Sequence, residues 1–225
     1  MPESSPSASG AKLIGGALCL DLVNTVGNWH DPERRADSLT SYSAFLDWTL
    51  HAGALTPAEA TALARSAVKR PAEAAAVLGR AANLRRLVRA VALAVSRGLP
   101  PAADDLAAFD TFIGGFLAGS RLVATPTGFA LNRQDDPTTL DRPLWPIVRS
   151  ALDLLTGDHL PRLRECADYA CGWLFLDTSR GGRRRWCDMS DCGNIAKARR
   201  FRRRQRAAPP ANPAVTAPVA SGRGQ

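Results

Sequence analysis

Histidine is scarce in this chain. The three that occur, His30, His51 and His159, are too scattered to converge on a metal or to act as a catalytic pair. No apolar run approaches the roughly 20 residues that span a bilayer. The first ten residues are polar, with neither a basic start nor an apolar stretch, so no secretory signal is expected and the cytoplasm is the expected compartment. Walker loops, dinucleotide fingerprints, G-x-S-x-G elbows and H-E-x-x-H helices are all missing. With no paired catalytic groups and no internal repeat, an enzyme is the least supported reading.

What is present is concentrated near the C-terminal end. Cys166, Cys171, Cys187 and Cys192 read C-x4-C-x15-C-x4-C. Two short pairs joined by a longer connection can bring four thiolates to one point, which is what a tetrahedral Zn²⁺ requires. A reducing compartment favours metal over disulfides for such a set. Four protein sulfurs leave no open coordination position, so the expected zinc is structural rather than catalytic. Cys19 stands apart in an apolar run and is expected to be merely buried.

Charge gathers at the same place. The net charge is +8, and residues 162–206 hold thirteen Lys/Arg against five Asp/Glu, so that segment accounts for the whole excess. Four thiolates on one Zn²⁺ form a site of about −2, which leaves the module near +6. A polyanion is the partner such a field favours.

Along the chain, residues 1–11 and 207–225 are rich in Ala, Pro, Ser or Gly and are expected to be disordered tails. Residues 13–26 are apolar with a polar group, Asp21, Asn24 and Thr25, and their period fits a strand or a helix equally. These three residues either line a ligand pocket or bridge backbone in a core. A helical pattern begins near Ser38 and ends at Gly53, and Thr56-Pro57-Ala58-Glu59 offers a capping box for a helix over 57–68. Further helices are expected over 71–97, 102–118 and 143–155, the last capped by Asp141, with a hairpin over 121–131. The fold class expected is α+β: a mostly helical domain over 12–158 with a short β-hairpin, then a small treble-clef-like zinc finger over 159–206.

Within the finger, residues 162–166 and 173–176 read as a hairpin, with Leu163, Trp173 and Phe175 as a minimal apolar face. Arg183, Arg184 and Arg185 make a basic loop suited to phosphates. Cys192 opens a helix running to about Gln205. At about 100° per residue, Ile195, Ala198 and Phe201 share a side, expected to face the zinc core. Lys197, Arg199, Arg200, Arg203 and Arg204 then face outward, toward a groove or phosphates.

The words Cys171-Gly172-Trp173-Leu174-Phe175-Leu176-Asp177-Thr178-Ser179-Arg180, Arg185-Trp186-Cys187 and Cys192-Gly193-Asn194 resemble the CGNR zinc finger family. Leu18-Cys19-Leu20-Asp21-Leu22-Val23-Asn24-Thr25 resembles the start of the ABATE domain usually paired with that finger. The resemblance implies a stress-induced bacterial transcription regulator, with the finger binding DNA and the N-terminal domain sensing a small-molecule effector. Ile195 stands where some members carry Arg, so it is not taken as a base reader. Two rival readings remain at this stage: a zinc adaptor docking on an acidic protein, and an RNA-binding module, for which Tyr169, Trp173 and Trp186 are the available stacking aromatics. A single finger buries little surface, which makes a homodimer through the helical domain a further expectation.

Overall fold

A computed structural model describes residues 10–133, 136 and 138–207. The expected tails fall almost wholly outside these residues. Seven α-helices and three two-stranded antiparallel sheets are formed by the described residues.

The stretch whose period was ambiguous is a helix, α1 (Leu18–Val23), with five of its six residues buried. Its start is fixed by Asp21, whose Oδ1 accepts the Gly15 N–H at 2.8 Å and so folds the preceding loop onto the first turn. Two small strands follow, β1 (Val26–Gly27) and β2 (Ala36–Asp37). Helix α2 (Tyr42–His51) is capped by Ser41, which accepts from the Ala44 N–H at 3.1 Å. Helix α3 (Pro57–Lys69) begins in the expected reciprocal box: the Thr56 N–H donates to Glu59 at 2.8 Å and the Glu59 N–H to Thr56 Oγ1 at 3.3 Å.

Helix α4 (Pro71–Ser96) is the axis of the molecule. Val77, Ala81, Leu84, Leu87, Val88, Val91 and Ala92 are buried along it, a helical stripe that meets α1, α2, α3, α5 and α6. Full burial of each larger aliphatic side chain contributes about 1.5–3 kcal/mol. Helix α5 (Ala103–Leu117) adds Phe109, Ile113 and Phe116 to the core. An exposed hairpin follows, β3 (Ser120–Thr125) and β4 (Gly128–Arg133), in register Ser120 with Arg133. Helix α6 (Leu144–Thr156) closes the core with Leu144, Ile147, Val148, Ala151 and Leu154. Asp141 does not cap it. Its carboxylate turns to Arg80 at 3.6 Å and Arg133 at 3.4 Å, since cations nearby compete successfully for a carboxylate.

The finger's hairpin, β5 (Leu163–Glu165) with β6 (Leu174–Leu176), is less separate than an appendage. Leu163, Leu174 and Leu176 belong to the helical domain's core, whereas Phe175 joins the four cysteines in a second small cluster against which Ile14, Trp173 and Trp186 also pack. Alternation explains the division: successive strand residues point to opposite faces, so Phe175 faces the sulfurs while its neighbours face the helices. The expected grouping of Leu163 with the finger's own apolar face is thereby corrected. A five-residue π turn, Met189–Gly193, leads into α7 (Asn194–Ala207). Among the described residues no helix is long and apolar enough to cross a membrane.

Candidate functional site

The four sulfurs of Cys166, Cys171, Cys187 and Cys192 lie within 4.8 Å of one another. Cys171 and Cys187 are 3.7 Å apart, as are Cys187 and Cys192. Tetrahedral zinc with Zn–S bonds of about 2.3 Å sets its sulfurs about 3.8 Å apart, so the set fits one Zn²⁺. Three of the cysteines are buried and Cys192 is half-buried. Thiols so close resist joint ionisation. Hydrogen bonds from the other three, Cys171 first, hold the Cys166 thiol far below its usual range, and contact with Cys166 pushes Cys171 and Cys187 up. A bound dication is what lets all four become thiolates together.

The scaffold around the sulfurs is made of backbone bonds. Cys166 N–H donates to Trp173 O at 2.8 Å and Ala167 N–H to Arg185 O at 2.8 Å, which ties the first cysteine pair to the loop before the second. Asp177, nearly fully buried, accepts from the Ser179 hydroxyl at 2.5 Å, from Ser179 N at 2.9 Å and from Arg184 N at 2.9 Å, and these bonds, the hydroxyl's first, hold its carboxyl below the usual range. Sequence reasoning did not single out Asp177. Lys12 bridges Asp188 and Asp191, the latter at 2.5 Å, and so clamps the turn that carries Cys192.

The helical domain grips the same scaffold from the other side. Trp29 N–H donates to Cys171 O at 3.0 Å and His30 N–H to Ala170 O at 3.2 Å. Arg89, buried on α4, donates to Gly172 O at 2.6 Å and lies 4.3 Å over the Trp29 ring, and burial lowers its pKa to about 10. Glu165 receives His30 at 2.5 Å and Arg97 at 2.9 Å. Gly172 adopts φ +66°, and a Cβ there would meet Trp29 Cβ at 2.8 Å, so glycine is required twice over.

Asp21, Asn24 and Thr25 all point inward. Asp21 holds Gly15. Asn24 bonds the backbone of Leu174, and Thr25 Oγ1 donates to Leu22 O at 2.7 Å while accepting from Arg85 at 2.9 Å. Their observed partners are the protein's own groups, as in the backbone-bridging reading.

The basic residues separate into two sets. Arg184 turns back onto the finger: its Nε donates to Trp186 O at 3.1 Å, another nitrogen reaches Cys187 O, and the guanidinium lies 4.3 Å over Phe175. Arg199 is a strut, bonded to buried Asp168 at 2.8 Å and stacked 4.3 Å over Tyr169. Arg183 and Arg185 are exposed beside a concavity of about 500 Å³ that Ile14, Trp186 and Met189 also line. Lys197, Arg200, Arg203 and Arg204 are exposed on α7.

One expectation fails on α7. Phe201 does not pack on the zinc core but is 62 % exposed, and Ile195 is exposed too. The helix touches the finger along the edge that carries Ala196 and Arg199, its half-buried residues. Phe201 lies about 170° round the helix from that edge. The helical wheel shows which residues share a side. Which side docks was decided by the Arg199–Asp168 pair.

Residues 16–158 match the family model ABATE, described as "putative stress-induced transcription regulator", and residues 162–205 match the CGNR zinc finger. No curated protein matches the chain.

Proposed function

The chain belongs to the ABATE family of transcription regulators and carries its zinc finger at the C-terminal side, and from that premise we propose that it is a cytoplasmic regulator that binds DNA through α7 and the loop of Arg183 and Arg185. The observation that carries this reading is the exposed cationic row Lys197, Arg200, Arg203 and Arg204 on a helix that meets the rest of the protein mainly at its first turns. Zinc fixes where that helix starts, and the Arg199–Asp168 bond fixes its direction. Cations held in one orientation release condensed counterions from a nucleic-acid backbone without first losing their own freedom. Arg183 and Arg185, exposed on the loop before Cys187, can add phosphate contacts beside the helix.

The N-terminal domain is the candidate sensor. An apolar groove of about 540 Å³ runs between α2, α3 and α4, lined by Tyr42, Leu46, Ala67, Val68, Ala74 and Leu78. It suits an apolar effector better than a charged one.

The test is fluorescence anisotropy with labelled duplex DNA at several salt concentrations. Wild type is expected to bind with log Kd rising steeply with log salt. Replacing Lys197, Arg200, Arg203 and Arg204 together with Ala removes up to four phosphate contacts and flattens that slope by about 3–4 units. Equal slopes and affinities for the two proteins would exclude α7 as the contact.

A further inference from the structure

The outermost line of α7 is aromatic. Phe201 sits at the point of the helix farthest from the finger, about 40° from Lys197 and about 60° from Arg204 on one flank, with Ala198 and Gln205 on the other. At 62 % exposure its ring is largely in water. Leaving an aromatic ring in water forfeits the gain of burial, which a solvated charged helix has no need to do. The flanking cations point to a polyanion as what covers it.

Resting on the DNA-binding reading above, we propose that Phe201 is a base-contacting residue: α7 lies in the major groove of duplex DNA with the Phe201 ring against the C5-methyl group of thymine. Three observations favour this occupant. A helix about 10–12 Å across matches a B-form major groove about 12 Å wide, whereas the deep, narrow major groove of A-form RNA does not admit it. Single-strand binding calls for a cationic channel with several free aromatic platforms. Here Tyr169 is exposed but has one face taken by Arg199 at 4.3 Å, Trp186 lies 5.3 Å beneath Arg185, and Trp173 is tied through its ring N–H to Val26 O at 2.8 Å. Phe201 stands alone on a convex surface, a form that enters a groove rather than lining one. Lys197 and Arg204 on its flank are placed for the phosphates of one groove wall.

The experiment uses the zinc-loaded full chain and two duplexes that differ only in methyl groups: alternating A·T pairs, and the same duplex with every thymine replaced by deoxyuridine. Wild type is expected to bind the thymine duplex more tightly, by about fourfold for each methyl covered. Phe201→Ala is expected to bind both duplexes alike, and Phe201→Leu to keep part of the preference. Zinc content at one equivalent in both variants confirms that the finger is intact. Binding by wild type with no methyl preference, or a preference that survives Phe201→Ala, overturns the thymine contact and leaves the DNA-binding reading standing. Tighter, Phe201-dependent binding to single-stranded DNA or RNA overturns it in favour of base stacking. Phe201-dependent self-association without DNA overturns it in favour of a second copy of the chain. No binding to any duplex at low salt removes the reading beneath it as well.

Discussion

Asn24 stands in for a neighbouring strand beside Leu174. Its Nδ2 donates to Leu174 O at 2.9 Å, and Leu174 N–H donates to its Oδ1 at 3.0 Å, so one side-chain amide satisfies both backbone groups of a buried residue. The pair joins the loop after α1 to β6 across 150 positions of sequence. It sits where the helical core and the finger share apolar residues.

Removing that amide leaves two buried backbone groups unbonded. Asn24→Ala is expected to lower stability by about 2–4 kcal/mol. Denaturant unfolding of wild type and variant measures it. Asn24→Asp keeps the acceptor but loses the donor and buries a charge, so it is expected to be at least as damaging. A change below about 0.5 kcal/mol for either variant would show the amide to be dispensable.

Arg184 and Arg183 should part company. Arg184 bonds the carbonyls of Trp186 and Cys187 and covers Phe175, whereas Arg183 is exposed. Arg184→Ala is expected to cost about 1–3 kcal/mol and to speed zinc release to a chelator severalfold. Arg183→Ala is expected to leave zinc release unchanged while weakening DNA binding. Equal release rates in the two variants would remove the distinction.

Cys187 has two sulfur neighbours at 3.7 Å and is nearly fully buried. Cys187→Ser is expected to abolish the bound zinc equivalent, as read by elemental analysis of purified protein. Chelation of wild type is expected to shift the fluorescence of Trp173 and Trp186, which flank the sulfurs, while most helical circular dichroism persists, because the helical core is built from other residues. A full zinc equivalent in the serine variant would refute the ligand set.

Asp21 gives a pH signature. Burial pushes its carboxyl up to about 6, against an ordinary value of 3.8, with the Gly15 N–H working the other way. The folded protein therefore holds the proton more tightly than the unfolded chain does. The associated stability is complete below about pH 4 and is lost as pH rises through about 6, amounting to about 3 kcal/mol. Asp21→Asn, which keeps an acceptor for Gly15 without titrating, is expected to gain on wild type steadily across that window. Thermal unfolding at intervals between about pH 4 and about pH 7 tests it, and a constant offset between the two proteins would contradict the burial effect.

Much of this was legible in the sequence because the signals were local. Thr56 and Glu59 announce their box within one helical turn, and the four cysteines announce a tetrahedron by spacing. What was hidden depended on distant partners. Asn24 looks like a residue capping its own helix until Leu174 is placed against it. Arg184 cannot be told from Arg183 and Arg185 in a run of three, because their roles differ only by where Phe175 and the Cys187 carbonyl lie. Phe201 shares a helical side with Ile195 and Ala198, which resembles a core stripe. That side faces water because Arg199 docks the opposite edge.

One asparagine amide completing β6 also bears on how such proteins can be recombined. A cut between the two matched regions would strip that strand of Asn24 and of the Gly15 carbonyl that accepts the Leu176 N–H at 2.8 Å, and expose Leu163, Leu174 and Leu176 at once. The finger is thus no portable cassette. Grafted onto a foreign domain it would arrive with a raw hydrophobic seam, and a working chimera has to bring α1 along with it.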